Sequence, residues 1–320
     1  MPSQTLFRPL LSQLTTSLAG GGRGLDQLGE LEPLDWRDLL LSLSVIHDLH
    51  TAPLGQLDGG ERFQHHPGVA RLKWRLEEQL VAELVRRDEA TVWKLPDTAA
   101  AAMRAIAARG LVPEVYEWLA DEADYDEIVD FLSVEGGPDG GFDDLVAICQ
   151  VGLDGAAKLE LAHNYWDEMG NGSLTRVHTE LHRKLSLALG LAAPARHLLP
   201  VAVLERSVLT GLMATNRWLQ PEMLGALGLL ELQAGPRCRK VIAALERIGA
   251  PEEALDFYVE HSRVDPRHGK DWVDKAVTPF EGDARWATGI VRGARWRSIV
   301  NAGFFTALSE SFIGRQQRVS

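Results

Sequence analysis

The stretch Val69-Ala-Arg-Leu-Lys-Trp-Arg-Leu-Glu-Glu-Gln-Leu-Val-Ala-Glu-Leu-Val85 places apolar residues at steps of three and four. That spacing lines one face of an α-helix. The same period recurs almost to the end of the chain, and predicts helices near 98–109, 112–121, 124–134, 142–151, 154–169, 174–188, 198–216, 222–233, 236–248, 252–276 and 283–312. Gly or Pro marks most of the joints, and alternating strand patterns are scarce. The expected class is therefore all-α. Comparison of the joints gives no fixed repeat length, which favours a helical bundle over a solenoid.

Working outward, residues 1–66 combine short helical patterns with the glycine clusters Gly20-Gly-Gly-Arg-Gly24 and Gly59-Gly60, the composition of a partly irregular N-terminal extension. The 320 residues are 45% hydrophobic, enough to bury a sizeable core. Lys and Arg number 33 against 45 Asp and Glu, a net charge of −12, which argues against nucleic acid or an anionic membrane as the main partner. Cys149 and Cys238 form no CxxC pair, so neither a disulfide framework nor a cysteine zinc site is indicated, and a cytoplasmic setting fits. No basic segment followed by an apolar one opens the chain, and no apolar run reaches membrane-spanning length.

The candidate chemistry centres on His261-Ser-Arg-Val-Asp265-Pro-Arg-His268. On a helix these three positions fall within roughly a 60° arc, and two imidazoles with a carboxylate suit iron, manganese or zinc. Two further places could complete such a site. Glu168 and His178 flank Gly170-Asn171-Gly172. Ten residues of straight helix would separate them by about 15 Å, but Gly and Asn readily take left-handed conformations that fold the chain back. Glu231 is a lone carboxylate in an apolar helical run, and a buried carboxylate requires a metal or a strong donor.

Each residue also has a plainer reading. The octet fits a solvated face with Asp265 capping a turn before Pro266; Glu168 fits a helix-end acid packed against Arg; Glu231 fits a pair with Arg237 or Arg239; His178 fits a core histidine. Tyr165, Trp166, Trp218, Phe257, Tyr258 and Trp272 fit either a pocket lining or the core. Arg263 and Arg267 fit either a substrate carboxylate or surface acids.

At Tyr165-Trp-Asp-Glu168-Met-Gly-Asn-Gly with His178, at Glu231 and at the octet, the chain resembles the iron-containing redox enzymes, the haem-oxygenase-like diiron oxidases and oxygenases. The resemblance covers roughly residues 100–310. It implies a haem-oxygenase-like helical bundle over 99–320 behind an N-terminal extension, 1–98. It also implies two iron ions in place of haem, held by Glu168, His178, Glu231, His261, Asp265 and His268. Some members add a carboxylate from an earlier helix, for which Glu135 is the candidate. Some carry an acid three residues before the histidine, where this chain has Thr175. The implied activity is O2-dependent oxidation of a small organic substrate by N-oxygenation, C–C cleavage or desaturation, with O2 as co-substrate and an unidentified electron donor. No catalytic residue beyond the metal ligands is assigned, and a homodimer could form through the extension.

Two alternatives compete. A mononuclear zinc hydrolase is suggested by His178-Thr-Glu-Leu-His182, although the zincin motif puts glutamate where Thr179 stands. A metal-free helical binding or scaffold protein is compatible with the same fold. A haem site would need one axial histidine rather than six converging ligands.

Overall fold

A computed structural model describes residues 9–136 and 141–319, with side chains to 314. The described residues are α-helices joined by short 3-10 turns, with no strand among them. They form two units, 9–91 with 195–216, and 92–194 with 217–319, leaving out 137–140. This differs from a division at 98/99, because residues 195–216 fold with the N-terminal segment. Hydrophobic period reports that a face is buried, not which neighbour buries it.

The first unit contains α1 (Leu10–Ala19), α2 (Leu25–Leu28), α3 (Trp36–Thr51) and α4 (Pro67–Ala90), with a later helix, Val201–Ala214, packed on α3. The opening stretch lies in α4, whose Val69, Leu72, Leu76, Leu80 and Leu84 are buried at the expected spacing. Polar groups pin these helices. The buried Asp38 carboxylate accepts from the Leu10, Leu11 and Leu34 amides, filling donors at the start of α1 that no helical carbonyl reaches. Glu77 accepts from Asn216 and Lys73 and contacts His47 Nε2 at 2.9 Å.

The second unit holds α5 (Ala99–Arg109), α6 (Glu114–Asp121), α7 (Tyr125–Glu135), α8 (Phe142–Cys149), α9 (Gly155–Glu168) and α10 (His178–Leu189). With the first unit's Val201–Ala214 counted as α11, it continues through α12 (Gln220–Arg247), α13 (Glu252–Asp271) and α14 (Ala284–Val319). At its centre, α12 packs against α6, α13 and α14. Two helices were expected here, at 222–233 and 236–248, with Gly235-Pro236 as the joint. The structure has one continuous helix. Gln233 and Arg237 bridge the proline: Arg237 donates to Gln233 Oε1 at 2.7 Å, and both bind carbonyls at the end of α5 and just beyond it. Packing along both halves of α12 outweighs the roughly 3 kcal/mol an interior proline costs.

Glycines set how closely α12 approaches its neighbours. A Cβ on Gly225 would lie 1.9 Å from the Ile290 carbonyl oxygen, and one on Gly293 1.9 Å from that of Glu222, so α12 and α14 meet backbone to backbone. A Cβ on Gly269 would lie 2.9 Å from the Glu231 carbonyl oxygen, and Gly235 faces the Pro266 ring, so α12 and α13 are similarly close. The helix α13 continues through Pro266 and keeps Asp265 helical. It ends earlier than the expected 276, passing into a π-helical turn at Trp272–Val277. Asp283 caps α14, accepting from the Arg285 and Trp286 amides. No helix among the described residues is long and apolar enough to cross a membrane.

Candidate metal centre

Four helices of the second unit supply the site. α9 ends at Glu168, and Gly170, Asn171 and Gly172 then all take positive φ, at 60°, 53° and 84°. Gly170 lies against the Arg176 backbone, where a Cβ would come within 2.5 Å of the Arg176 carbonyl carbon. This fold-back delivers His178, the first residue of α10, to Glu168: Nδ1 of the ring lies 2.7 Å from Oε2 of the acid. This fold-back removes the 15 Å separation of a straight helix, as the glycine and asparagine residues led us to expect.

His261 of α13 lies beside His178, their ring centroids 4.4 Å apart. Its Nδ1 is 2.7 Å from the Phe257 carbonyl oxygen. A carbonyl only accepts, so Nδ1 carries the proton and Nε2 keeps its lone pair. Glu168, His178 and His261 each offer one ligand atom, all within 4.8 Å of one another. Glu168, Glu231 and His268 form a second such group. These spans are close to the roughly 4 Å that separates opposite ligands bonded at about 2.1 Å. Glu168 belongs to both groups.

Asp265, between the two histidines on α13, lies in neither group. It is 2% exposed, and its Oδ2 has no hydrogen-bond partner. Glu135 also lies in neither, and its Oε1 accepts from the Tyr116 hydroxyl at 2.9 Å. His182 is likewise outside both and packs edge-on to Phe257, so the His178/His182 pair does not form a metal-ligand group among the described residues.

The electrostatics call for a cation. Burial, reinforced by the charge of Glu168, pushes the Glu231 carboxyl up to about 8. Burial and the neighbouring Glu231 and Glu168 hold Asp265 well above the ordinary carboxylate range. Burial, together with His178, lowers His261 to about 4. Burial also works to raise Glu168, but its contact with His178 and the charges of His178, His261 and His268 bring it below its usual value. Nδ1 of His268 is buried with no hydrogen-bond partner, and Oδ2 of Asp265 likewise. Crowded buried acids, one of them with an unmet oxygen, beside an unmet imidazole nitrogen are costly in a folded chain. A bound divalent ion would take up both.

Two site residues escaped the sequence reading. Asn164 donates to Glu231 Oε1 at 2.7 Å, the partner expected from Arg237 or Arg239. Arg237 serves carbonyls instead. Asp167 accepts from Arg267 and lies 2.8 Å from His268 Nε2. A signal for both was present: Asn164, Asp167 and Glu168 stand at i, i+3 and i+4, one face of α9. Arg263 pairs with Glu260, so both octet arginines meet acids of the chain. Among the aromatic residues, Trp272 is fully buried and donates to the Leu224 carbonyl, Tyr258 is buried, and Trp166 and Trp218 are about half exposed.

A family model described as iron-containing redox enzyme matches residues 130–301, a span that contains every residue of both ligand groups. No curated protein matches the chain.

Proposed function

This chain belongs to the iron-containing redox enzyme family, and from that premise we propose that it is a non-haem diiron oxidoreductase that uses O2 to oxidise a small organic molecule. The observation that carries the reading is Glu168, one carboxylate common to two groups of ligand atoms. Glu168, His178 and His261 would hold one iron, and Glu168, Glu231 and His268 the other. Asp265, buried and without a partner for Oδ2, would complete the set of six.

Iron held by this donor set would supply the redox chemistry that an O2-dependent oxidation needs. The rest is the work of the chain. Asn164 fixes the Glu231 carboxylate through Oε1. The Phe257 carbonyl fixes the His261 tautomer, leaving Nε2 as the donor atom. Burial of Glu168, Glu231, Asp265 and His268 keeps bulk water from the acids. The crowded acids and the pair of histidines at 4.4 Å leave no lone axial histidine, which favours iron ions over haem. The substrate is a small molecule, the electron donor a separate component, and the two buried free thiols fit a cytoplasmic setting.

Anaerobic Fe(II) titration with iron counting, followed by rapid mixing with O2, tests this reading against His261→Ala. Two irons per chain and a transient visible absorption that the variant lacks are expected. Wild-type protein that takes up no iron, or one zinc instead, would overturn it.

A further inference from the structure

Asp167 stands apart from the ligand groups and touches the site through a single atom. Its Oδ2 lies 2.8 Å from Nε2 of His268, with both side chains buried. Arg267 donates to the same oxygen, and the Asn171 side chain, from the left-handed turn after α9, binds the same carboxylate. His163, one turn earlier on α9, is 3.7 Å away. On the other edge of the imidazole, Nδ1 is buried, has no hydrogen-bond partner, and lies 3.7 Å from Glu231 Oε2. The ring therefore has one nitrogen against a carboxylate outside the ligand groups and the other facing a carboxylate within one.

We propose that Asp167 is a positioning residue that holds His268 as the Nε2–H tautomer, so that Nδ1 is the atom His268 offers to the metal. A carboxylate oxygen can only accept, so the nitrogen against it carries the proton, and a neutral imidazole with Nε2 protonated keeps its lone pair on Nδ1. Arg267 and Asn171 both bind the carboxylate and so hold it against the ring. Metal-binding histidines are commonly oriented by a carboxylate on the far nitrogen, and losing that partner costs 10–100-fold in affinity. Asn164 and Asp167 share a face of α9 with Glu168, so one turn of this helix provides the shared ligand and also orients two further ligands from α12 and α13.

The inference rests on the diiron reading only for the identity of the ion, and its first test needs no metal. Full-length protein labelled with 15N at histidine is prepared metal-free, and long-range proton–nitrogen correlation locates the proton on each ring, with His268→Gln assigning the resonance. Protonated Nε2 is expected, and protonated Nδ1 overturns the proposal. Co(II) titration then compares Asp167→Asn, whose amide oxygen still accepts from Nε2–H, with Asp167→Leu, which cannot. Asn should retain most of the wild-type affinity, and Leu should lose roughly 10–100-fold, with thermal unfolding confirming that both are folded. Equal affinity in the two variants overturns the proposal. Wild-type protein that binds no Co(II) would count against the metal reading, while the proton's position still decides the tautomer.

Discussion

Gly170→Ala should damage the protein in two separable ways. The residue sits at φ 60°, where an L side chain costs about 1 kcal/mol. Its new Cβ would also meet the Arg176 carbonyl carbon at 2.5 Å and the Val177 nitrogen at 2.7 Å. Relief requires the 173–177 segment to retreat on the order of 1 Å, and overpacking of this kind costs about 1–3 kcal/mol. Together the two terms come to about 2–4 kcal/mol, a fall in melting temperature on the order of 10 °C. His178 follows Val177 directly, so the retreat also draws its Nδ1 away from Glu168. Gly155→Ala provides the control, because φ is 54° and nothing lies within 4 Å of the added Cβ. It should cost about 1 kcal/mol and leave metal binding intact. Thermal unfolding followed by circular dichroism, with Co(II) titration of both variants, reads the two effects. Equal melting points and equal Co(II) affinities for the two variants would refute the claim that this close approach sets the Glu168–His178 contact.

Other predictions test the site and its support. Glu168→Ala should lose metal at both positions, whereas Glu135→Gln should keep wild-type stoichiometry, as counted by metal analysis after anaerobic loading. In metal-free protein, Glu231 binds its proton more tightly folded, at about 8, than unfolded, at about 4.3. Its contribution to stability is therefore full below the unfolded value and lost as pH rises through about 8. Calorimetry in chelator should show a melting temperature that declines from pH 6 to 8, and Glu231→Gln should flatten that decline. Arg247 donates to the carbonyls of Leu119, Ala120 and Ala123 at the end of α6. Arg247→Ala should cost about 1–3 kcal/mol in denaturant unfolding through these unmet acceptors, and Lys, lacking the planar fork, should restore only part of it.

The period of Val69–Val85 and its repetition made the helical class legible, and Gly170-Asn171-Gly172 announced the fold-back that joins Glu168 to His178. The octet spacing placed His261 and His268 on one face of α13. What the spacing could not give was the rotation of α13 against α9, on which the Asp167–His268 contact depends. Nor could it show that Gln233 and Arg237 would carry α12 through Pro236, since their acceptors lie more than a hundred residues away in sequence. Asp265 and Glu135 looked alike as acids near the motifs. Burial separates them, one sealed from solvent with an unmet oxygen and the other bonded to a tyrosine.

The glycine seam between α12 and α14 has a bearing on how this sequence can change over time. Because Gly225 and Gly293 bring carbonyl oxygens within Cβ distance of the facing helix, the rotational setting of α12 is fixed by backbone contact. Six residues further on, the same helix presents Glu231. One residue inserted or deleted between Gly225 and Glu231 would turn the acid by about 100° and shift it by about 1.5 Å, with no rotamer able to correct it. The interval 225–231 therefore behaves as a reading frame, whose length is fixed by the backbone contact at one end and the acid at the other.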